Sequence, residues 1–378
     1  MMVSSINTIM YNLELLNERS SKVTYGLSSN KALEQGSDDS IKFDYLLSIQ
    51  NNLNTYTAIE NRIELSNTYN TFSDTTTSDI KTAMESVNTD IIKALNDTVS
   101  SVDKNVIASE VEQIKDTLFS LVNDSTNGEY LFSGNNTDTT PFIKDEVTGQ
   151  ISYESDYSNK KVNVEKNQYT TQGINGIELI YYTNASASNG ETLDFTSNEI
   201  ILDKEGNEWK VLDNDNDGTY DGLYLNGDTS SIPIALTTNS DGTFSITNTE
   251  DTKLESKHSY FDDLDELIAA LKQKDTNGND ITTSEASTLL SSALEKFEQA
   301  YDNTNTSHSK LGIRTNLIES YAQSVQSKLT NYTLLEEQYE SADLTALAVE
   351  SQSLENTYTA LYSTINKIND LSLVKYIN

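Results

Sequence analysis

A pair of heptad seams at the two ends of the chain constrains its fold more than any other feature. Met2, Ile6, Ile9, Leu13, Leu16, Ser20, Val23 and Leu27 step 4-3-4-3 along the N-terminal end. Leu344, Leu347, Ser351, Leu354, Tyr358, Leu361, Ile365 and Ile368 step 3-4-3-4 near the other. With about 3.6 residues to a helical turn, each set falls on one narrow stripe. One serine interrupts each stripe. Neither helix can bury its stripe alone, because isolated helices are marginal in water. The economical solution pairs the first helix with the last and leaves part of each stripe for neighbouring subunits.

Proline and glycine divide what lies between. The only prolines are Pro141 and Pro233, and eleven of the fifteen glycines fall between Gly128 and Gly242. Long helices are therefore allowed on both flanks, while the middle reads as strands and turns. Leu46, Ile49, Leu53, Tyr56 and Ile63 trace a second helix, and Ile107, Val111, Ile114, Leu118 and Leu121 a third. Ile318, Tyr321, Val325, Tyr332, Leu335 and Tyr339 keep a related rhythm in another phase, and the slip near Ala342–Asp343 marks a joint. In the middle, residues 160–169, 176–182, 208–212, 223–226 and 242–247 read as strands of a small antiparallel domain.

Charge and residue usage exclude several functions. Net charge is −34, from 59 acidic and 25 basic residues. Such a surface repels nucleic acid and anionic lipid, so neither is expected as a partner. No run of 18 apolar residues suggests a membrane span, and the N-terminal segment does not read as a Sec-type signal. With no cysteine in the sequence, disulfides and thiolate chemistry drop out. His258 and His308 are the only histidines, and both read as surface residues in polar surroundings. Neither a phosphate-binding loop nor a nucleophile elbow is present. No enzymatic activity is expected.

One stretch invites a metal. In "DNDNDGTYDG", Asp213, Asp215, Asp217, Thr219 and Asp221 follow the ligand spacing of a Ca²⁺ loop, with Gly218 at the turn. Tyr224 stands where the bidentate glutamate belongs, and the flanks read as strands, so this is no EF-hand. A hairpin loop holding one Ca²⁺ and a solvated aspartate-rich turn needing no metal both fit. "DTNGND" at 275–280 is a poorer echo. No cofactor is required.

Several segments carry a family likeness. Residues 26–40, "GLSSNKALEQGSDDS", with the pair Asp38–Asp39, resemble the N-terminal signature of the flagellin superfamily. "KLGIRTN" at 310–316 resembles its C-terminal counterpart. "GEYLFSGNNTDTTPF" at 128–142 and the last helix, with its Leu-Ser-Leu-x-x-Tyr ending, are similar to the hook–filament junction branch of that superfamily. Ser40 departs from the pattern, which usually has proline there. Residues 143–260 carry no part of the likeness.

The resemblance implies an α+β fold: an elongated flagellin-like rod whose N- and C-terminal helices pair as a coiled coil, with an inserted antiparallel β-rich domain. Its expected parts are residues 1–44 and 341–378 as the inner helices, 45–134 and 262–340 as the helical rod, and 135–261 as the insert. It further implies a structural protein of the bacterial flagellum, extracellular and exported without a cleaved signal. The implied partners are other copies of the chain in a ring, hook-associated protein 1, flagellin and a cytoplasmic export chaperone. The rivals are a filament flagellin and, from another class, a calcium-dependent adhesin with helical arms.

Overall fold

The computed structural model describes residues 2–96, 100–213, 220–240, 242–275 and 278–377, with side chains between residues 7 and 368. The fold is α+β. Its helices are α1 (Met2–Ser29), α2 (Ser40–Ala94), α3 (Ser101–Val122), α4 (Gly176–Ile180), α5 (Tyr260–Leu271), α6 (Thr283–Glu340) and α7 (Leu344–Ile377). Strands occupy the middle: β1 (Ser125–Thr126), β2 (Glu129–Tyr130), β3 (Phe142–Lys144), β4 (Ile151–Tyr153), β5 (Lys161–Glu165), β6 (Gln168–Thr171) and β7 (Tyr181–Ala187). They continue as β8 (Thr192–Phe195), β9 (Ile200–Asp203), β10 (Glu208–Leu212), β11 (Gly222–Leu225), β12 (Leu236–Thr238), β13 (Phe244–Thr247) and β14 (Leu254–Ser259). The chain divides into two compact units, Met1–Asn61 with Gln323–Asn378, and Arg62–Ala322. Helices α2 and α6 run through both.

In the first unit α1 packs along α7. The pairing is antiparallel: Asn17 meets Tyr358, Gly26 meets Leu347, and Asn30 meets Ala342. At Gly26 a Cβ would lie 2.6 Å from Leu347 Cδ1, so the glycine leaves room for the Leu347 side chain. Asn30 ends α1 in the left-handed region at φ 57°, a common helix stop. The expected joint falls at residues 341–343. There Ala32 N–H donates to Glu340 O at 2.7 Å, and Ala342 N–H donates to Asn30 O at 3.1 Å. Asp343 then restarts the helix by accepting from Ala346 N–H at 2.9 Å. Within the same unit α2 and α6 stack Tyr56 on Tyr332 and set Tyr45 against Tyr339.

In the second unit the seam of α2 continues far beyond the point where apolar residues stop announcing it. Ile63, Ser66, Asn70, Ser73, Thr77, Ile80, Met84, Val87 and Ile91 are all buried and keep the 3-4 rhythm. Four of these members are polar. Asn70 donates to Thr315 Oγ1 at 3.1 Å and accepts from Gly173 N–H at 3.0 Å.

Two cores fill this unit. The larger joins Met84 and Val87 of α2, Val111 and Leu118 of α3, Leu264 and Leu267 of α5 and Leu290 and Phe297 of α6 with Phe132, Phe142 and Leu179. The smaller sits among the strands, where Leu193, Phe195, Ile201, Trp209, Leu223, Phe244 and Leu254 gather. Its sheets are antiparallel, one of five strands ordered β11-β10-β9-β14-β7 and one of three ordered β12-β13-β8. The hairpins β1–β2, β3–β4 and β5–β6 stand apart as two-stranded pieces.

Two expectations are corrected here. "GIELIYY" reads as one strand, but Gly176–Ile180 forms a helical turn and the strand begins at Tyr181. Asn175 caps that turn by accepting from Glu178 N–H at 2.8 Å. Gly176, Ile177, Leu179 and Ile180 are all buried, and a run buried all round carries no period to tell helix from strand. His258 is likewise no surface residue. It lies on the inward side of β14 with Leu254 and Ser256 and is 8% exposed.

Candidate assembly interface

The paired aspartates of the first unit divide their work. Asp38 Oδ2 accepts from Glu34 N–H at 3.1 Å and Gln35 N–H at 3.0 Å, closing the turn after α1. Its other oxygen pairs with Lys22 Nζ at 3.0 Å, which, with those backbone bonds, holds the carboxyl below its ordinary range. Asp39 caps α2 by accepting from Lys42 N–H at 3.0 Å. Lys31 and Glu340 pair at 2.6 Å across the joint.

Along the helix pair, Val23 and Leu354 are buried, at 4% and 7% exposed. Ile9, Leu13, Leu16, Leu347, Tyr358, Leu361, Ile365 and Ile368 are half-buried. Leu27 and Leu344 are exposed, while the side chain of Ile6 lies outside the described residues. The structure thus brings most of the two seams together and leaves them incompletely covered. Met10, Tyr11 and Leu15 on α1, with Val349 and Tyr362 on α7, are exposed as well, off the two seams. Exposed apolar side chains therefore lie on both helices of the pair.

In the second unit "KLGIRTN" anchors the insert. Leu311 is fully buried. Arg314 grips Glu178 with both guanidinium nitrogens, at 2.9 and 3.1 Å, and donates to Gly173 O at 2.6 Å. Asn159 adds a bond to the same carboxylate at 3.1 Å. Burial works to raise the Glu178 carboxyl, but the hydrogen bonds and charge of Arg314 outweigh it and hold it below its ordinary range. In "GEYLFSG", Gly134 takes φ +70°, and a Cβ there would lie 2.2 Å from Asp156 O. Tyr153 Oη donates to Asp156 O at 2.7 Å and Ser155 Oγ to Ser133 O at 2.7 Å. This glycine lets two loops of the insert's root touch through their backbones.

No protein-family model matches this sequence. A stretch of 69 residues is 33% identical to flagellar hook-associated protein 3 of Escherichia coli K12, spanning 18% of this chain and 22% of that relative. Solved structures match over far more. Hook-associated protein 3 of Legionella pneumophila aligns at a TM-score of 0.52 and 15% identity, covering 77% of this chain and 97% of that one. A putative flagellar hook-associated protein of Vibrio parahaemolyticus aligns at 0.53 and 13%, covering 80% and 100%. Xanthomonas campestris FlgL gives 0.50 and 18%, covering 75% and 98%.

The chain has the fold of flagellar hook-associated protein 3.

Within the hook-associated protein 3 fold, the remaining sequence-predicted sites fall as follows. β10 and β11 pair antiparallel, and Asp221 N–H donates to Leu212 O at 2.9 Å. Asp215, Asp217 and Thr219 lie outside the described residues, which hold Asp213 and Asp221. Among the described residues no three His, Cys, Asp or Glu side chains gather as a metal site, and no helix is long and apolar enough to cross a membrane. His308 pairs with Asp74 at 2.8 Å between α6 and α2.

Sequence reasoning missed the cluster around His258. Its ring nitrogens lie 3.3 Å from Glu199 and 2.9 Å from Asp263. Tyr182 donates to Asp263 at 3.0 Å, and Lys296 approaches it at 3.6 Å. Burial works against a charged imidazole, but its hydrogen bonds to Asp263 and Glu199 push its pKa up to about 10. Burial pushes the neighbouring Asp262 carboxyl up to about 7. The available signal was alternation: Leu254, Ser256 and His258 share one face of a strand whose first member must be buried.

Proposed function

We propose that this chain is a structural, non-enzymatic subunit of the bacterial flagellum that joins hook to filament. The observation that carries the reading is the antiparallel pairing of α1 with α7, its seams incompletely covered, in a chain with the hook-associated protein 3 fold. In this reading residues 1–44 and 341–378 form an inner layer, 45–134 and 262–340 the layer around it, and 135–261 an insert facing outward. Copies of the chain associate in a ring between hook-associated protein 1 and flagellin, outside the cell. Before export without a cleaved signal, a cytoplasmic chaperone holds the C-terminal region.

Elementary energetics supports this role. A helix pair with open seams is weakly held alone, and burying each remaining apolar side chain against a neighbour contributes about 1–2 kcal/mol. Such contacts work with the helices' own hydrogen bonds against the entropy of ordering them. Deletion of the gene is the direct test. Electron microscopy of the deletion strain is expected to show hooks without filaments and flagellin shed into the medium, both reversed by complementation with this gene alone. Attached filaments in the deletion strain would overturn the reading.

A further inference from the structure

A cleft of about 530 Å³ opens between one face of α2 and the β1–β2 and β5–β6 hairpins. Arg62, Leu65 and Tyr69 line it from successive turns of α2, and Lys160, Lys161 and Tyr169 line it from the hairpin. Lys160 is committed: it pairs with Glu129 at 2.7 and 2.9 Å and sits 6.0 Å over the Tyr69 ring. Arg62 and Lys161 have no carboxylate partner among the described residues. Leu65 and Tyr169 beside them are 65% and 63% exposed. Ser66 also lines the cleft, is 1% exposed, and its hydroxyl has no hydrogen-bond partner among the described residues.

Arg62 and Lys161 gather in one cleft of a chain whose net charge is −34. They make this cleft opposite in sign to most of the surface that another copy would present. We infer that the cleft docks a second copy of this chain, taking a carboxylate on Arg62 or Lys161 and an apolar side chain between Leu65 and Tyr169. The chain itself carries the complementary chemistry: on α6, Leu334 is 59% exposed, and Glu337, also exposed, follows three residues later on the same helix face. The inference rests on the assembly role proposed above and adds where on the molecule a neighbour attaches.

Because the sequence has no cysteine, Leu65→Cys or Tyr169→Cys gives a single attachment point for a benzophenone maleimide. Purified full-length protein labelled at either position is irradiated, and the products are sized and mapped by mass spectrometry. The expected result is a covalent dimer whose linked peptide comes from an acidic, apolar helical segment of the second copy. Adding Arg62→Glu and Lys161→Glu is expected to cut the dimer yield about tenfold, because like charges then face each other. No dimer from either position would overturn the inference, as would a yield indifferent to charge reversal. A crosslink that forms only after cell lysate is added, to a protein of another mass, overturns it too. Filament shedding is scored separately. Shedding without a dimer ends only this docking surface, while a dimer without shedding ends the junction reading and leaves the surface standing.

Discussion

Tyr358 donates a 2.8 Å hydrogen bond from its phenol to the amide oxygen of Asn17, joining two helices at opposite ends of the sequence. The bond is solvent-exposed, so it contributes little by itself, about 0.5–1 kcal/mol. It marks the register in which Val23 and Leu354 become the buried members of the pair. Leu354→Ala is expected to cost about 2–3 kcal/mol locally, below the largest core values because the site is thinly covered. Hydrogen exchange should show faster amides across α1 and α7 and unchanged protection in α3 and α5. Tyr358→Phe should leave the exchange pattern nearly intact.

Removing residues 344–378 takes away the whole partner of α1. The remaining protein is expected to stay folded through its two cores, with a thermal transition close to that of the full chain, and to lose association beyond a dimer by light scattering. Normal assembly of the truncated protein would remove the terminal helices from the assembly surface.

Gly134→Ala should be among the most damaging small substitutions. The position needs positive φ, and the added methyl would meet the Asp156 carbonyl at 2.2 Å. A loss of roughly 3 kcal/mol or more is expected in urea unfolding, where an ordinary exposed Gly→Ala would be neutral or stabilising.

Arg314→Ala should cost about 3 kcal/mol, because it strands the largely buried Glu178 carboxylate with Asn159 alone. Arg314→Lys should recover only part of this, since an ammonium cannot fork across two oxygens and reach Gly173 O as well. A double-mutant cycle with Glu178→Gln measures the coupling.

Stability should fall as pH rises above the mildly acidic range. His258 is raised to about 10, above its unfolded value near 6.5, so its contribution is complete below pH 6.5 and is lost as pH climbs through 10. Asp262, raised to about 7, binds its proton more tightly when folded, so its contribution also fades, between about pH 4 and 7. Glu178 runs the other way. Its folded value is depressed, so its contribution is present above about pH 4.3 and lost as pH falls through the folded value. Melting temperature against pH should therefore peak in mild acid. His258→Gln should flatten the decline between pH 7 and 10, and an unchanged slope would separate His258 from the pH dependence.

What the sequence discloses depends on where apolar periodicity survives. The terminal helices were legible because their stripes are apolar and strictly spaced. The full length of α2 was not, because Ser66, Asn70, Ser73 and Thr77 occupy seam positions that a search for apolar residues passes over. The turn at Gly176–Ile180 was hidden by burial on every side. His258 was hidden by its polar neighbours in sequence, and its partners Glu199 and Asp263 come from other elements. Arg314 lies within the motif at 310–316, but its partner Glu178 lies 136 residues away and no local pattern announces it.

The antiparallel meeting of α1 and α7 also sets a clock. Asn17 and Tyr358 are 341 residues apart. At a synthesis rate of about 5–20 residues per second, the first helix waits roughly 20–70 s before its partner exists. Throughout that interval the central domains can fold on their own local contacts while the N-terminal stripe stays without its match. Helix α7 is made long after α1 and closes it, so a factor that holds the newly made α7 would keep both helices open at once.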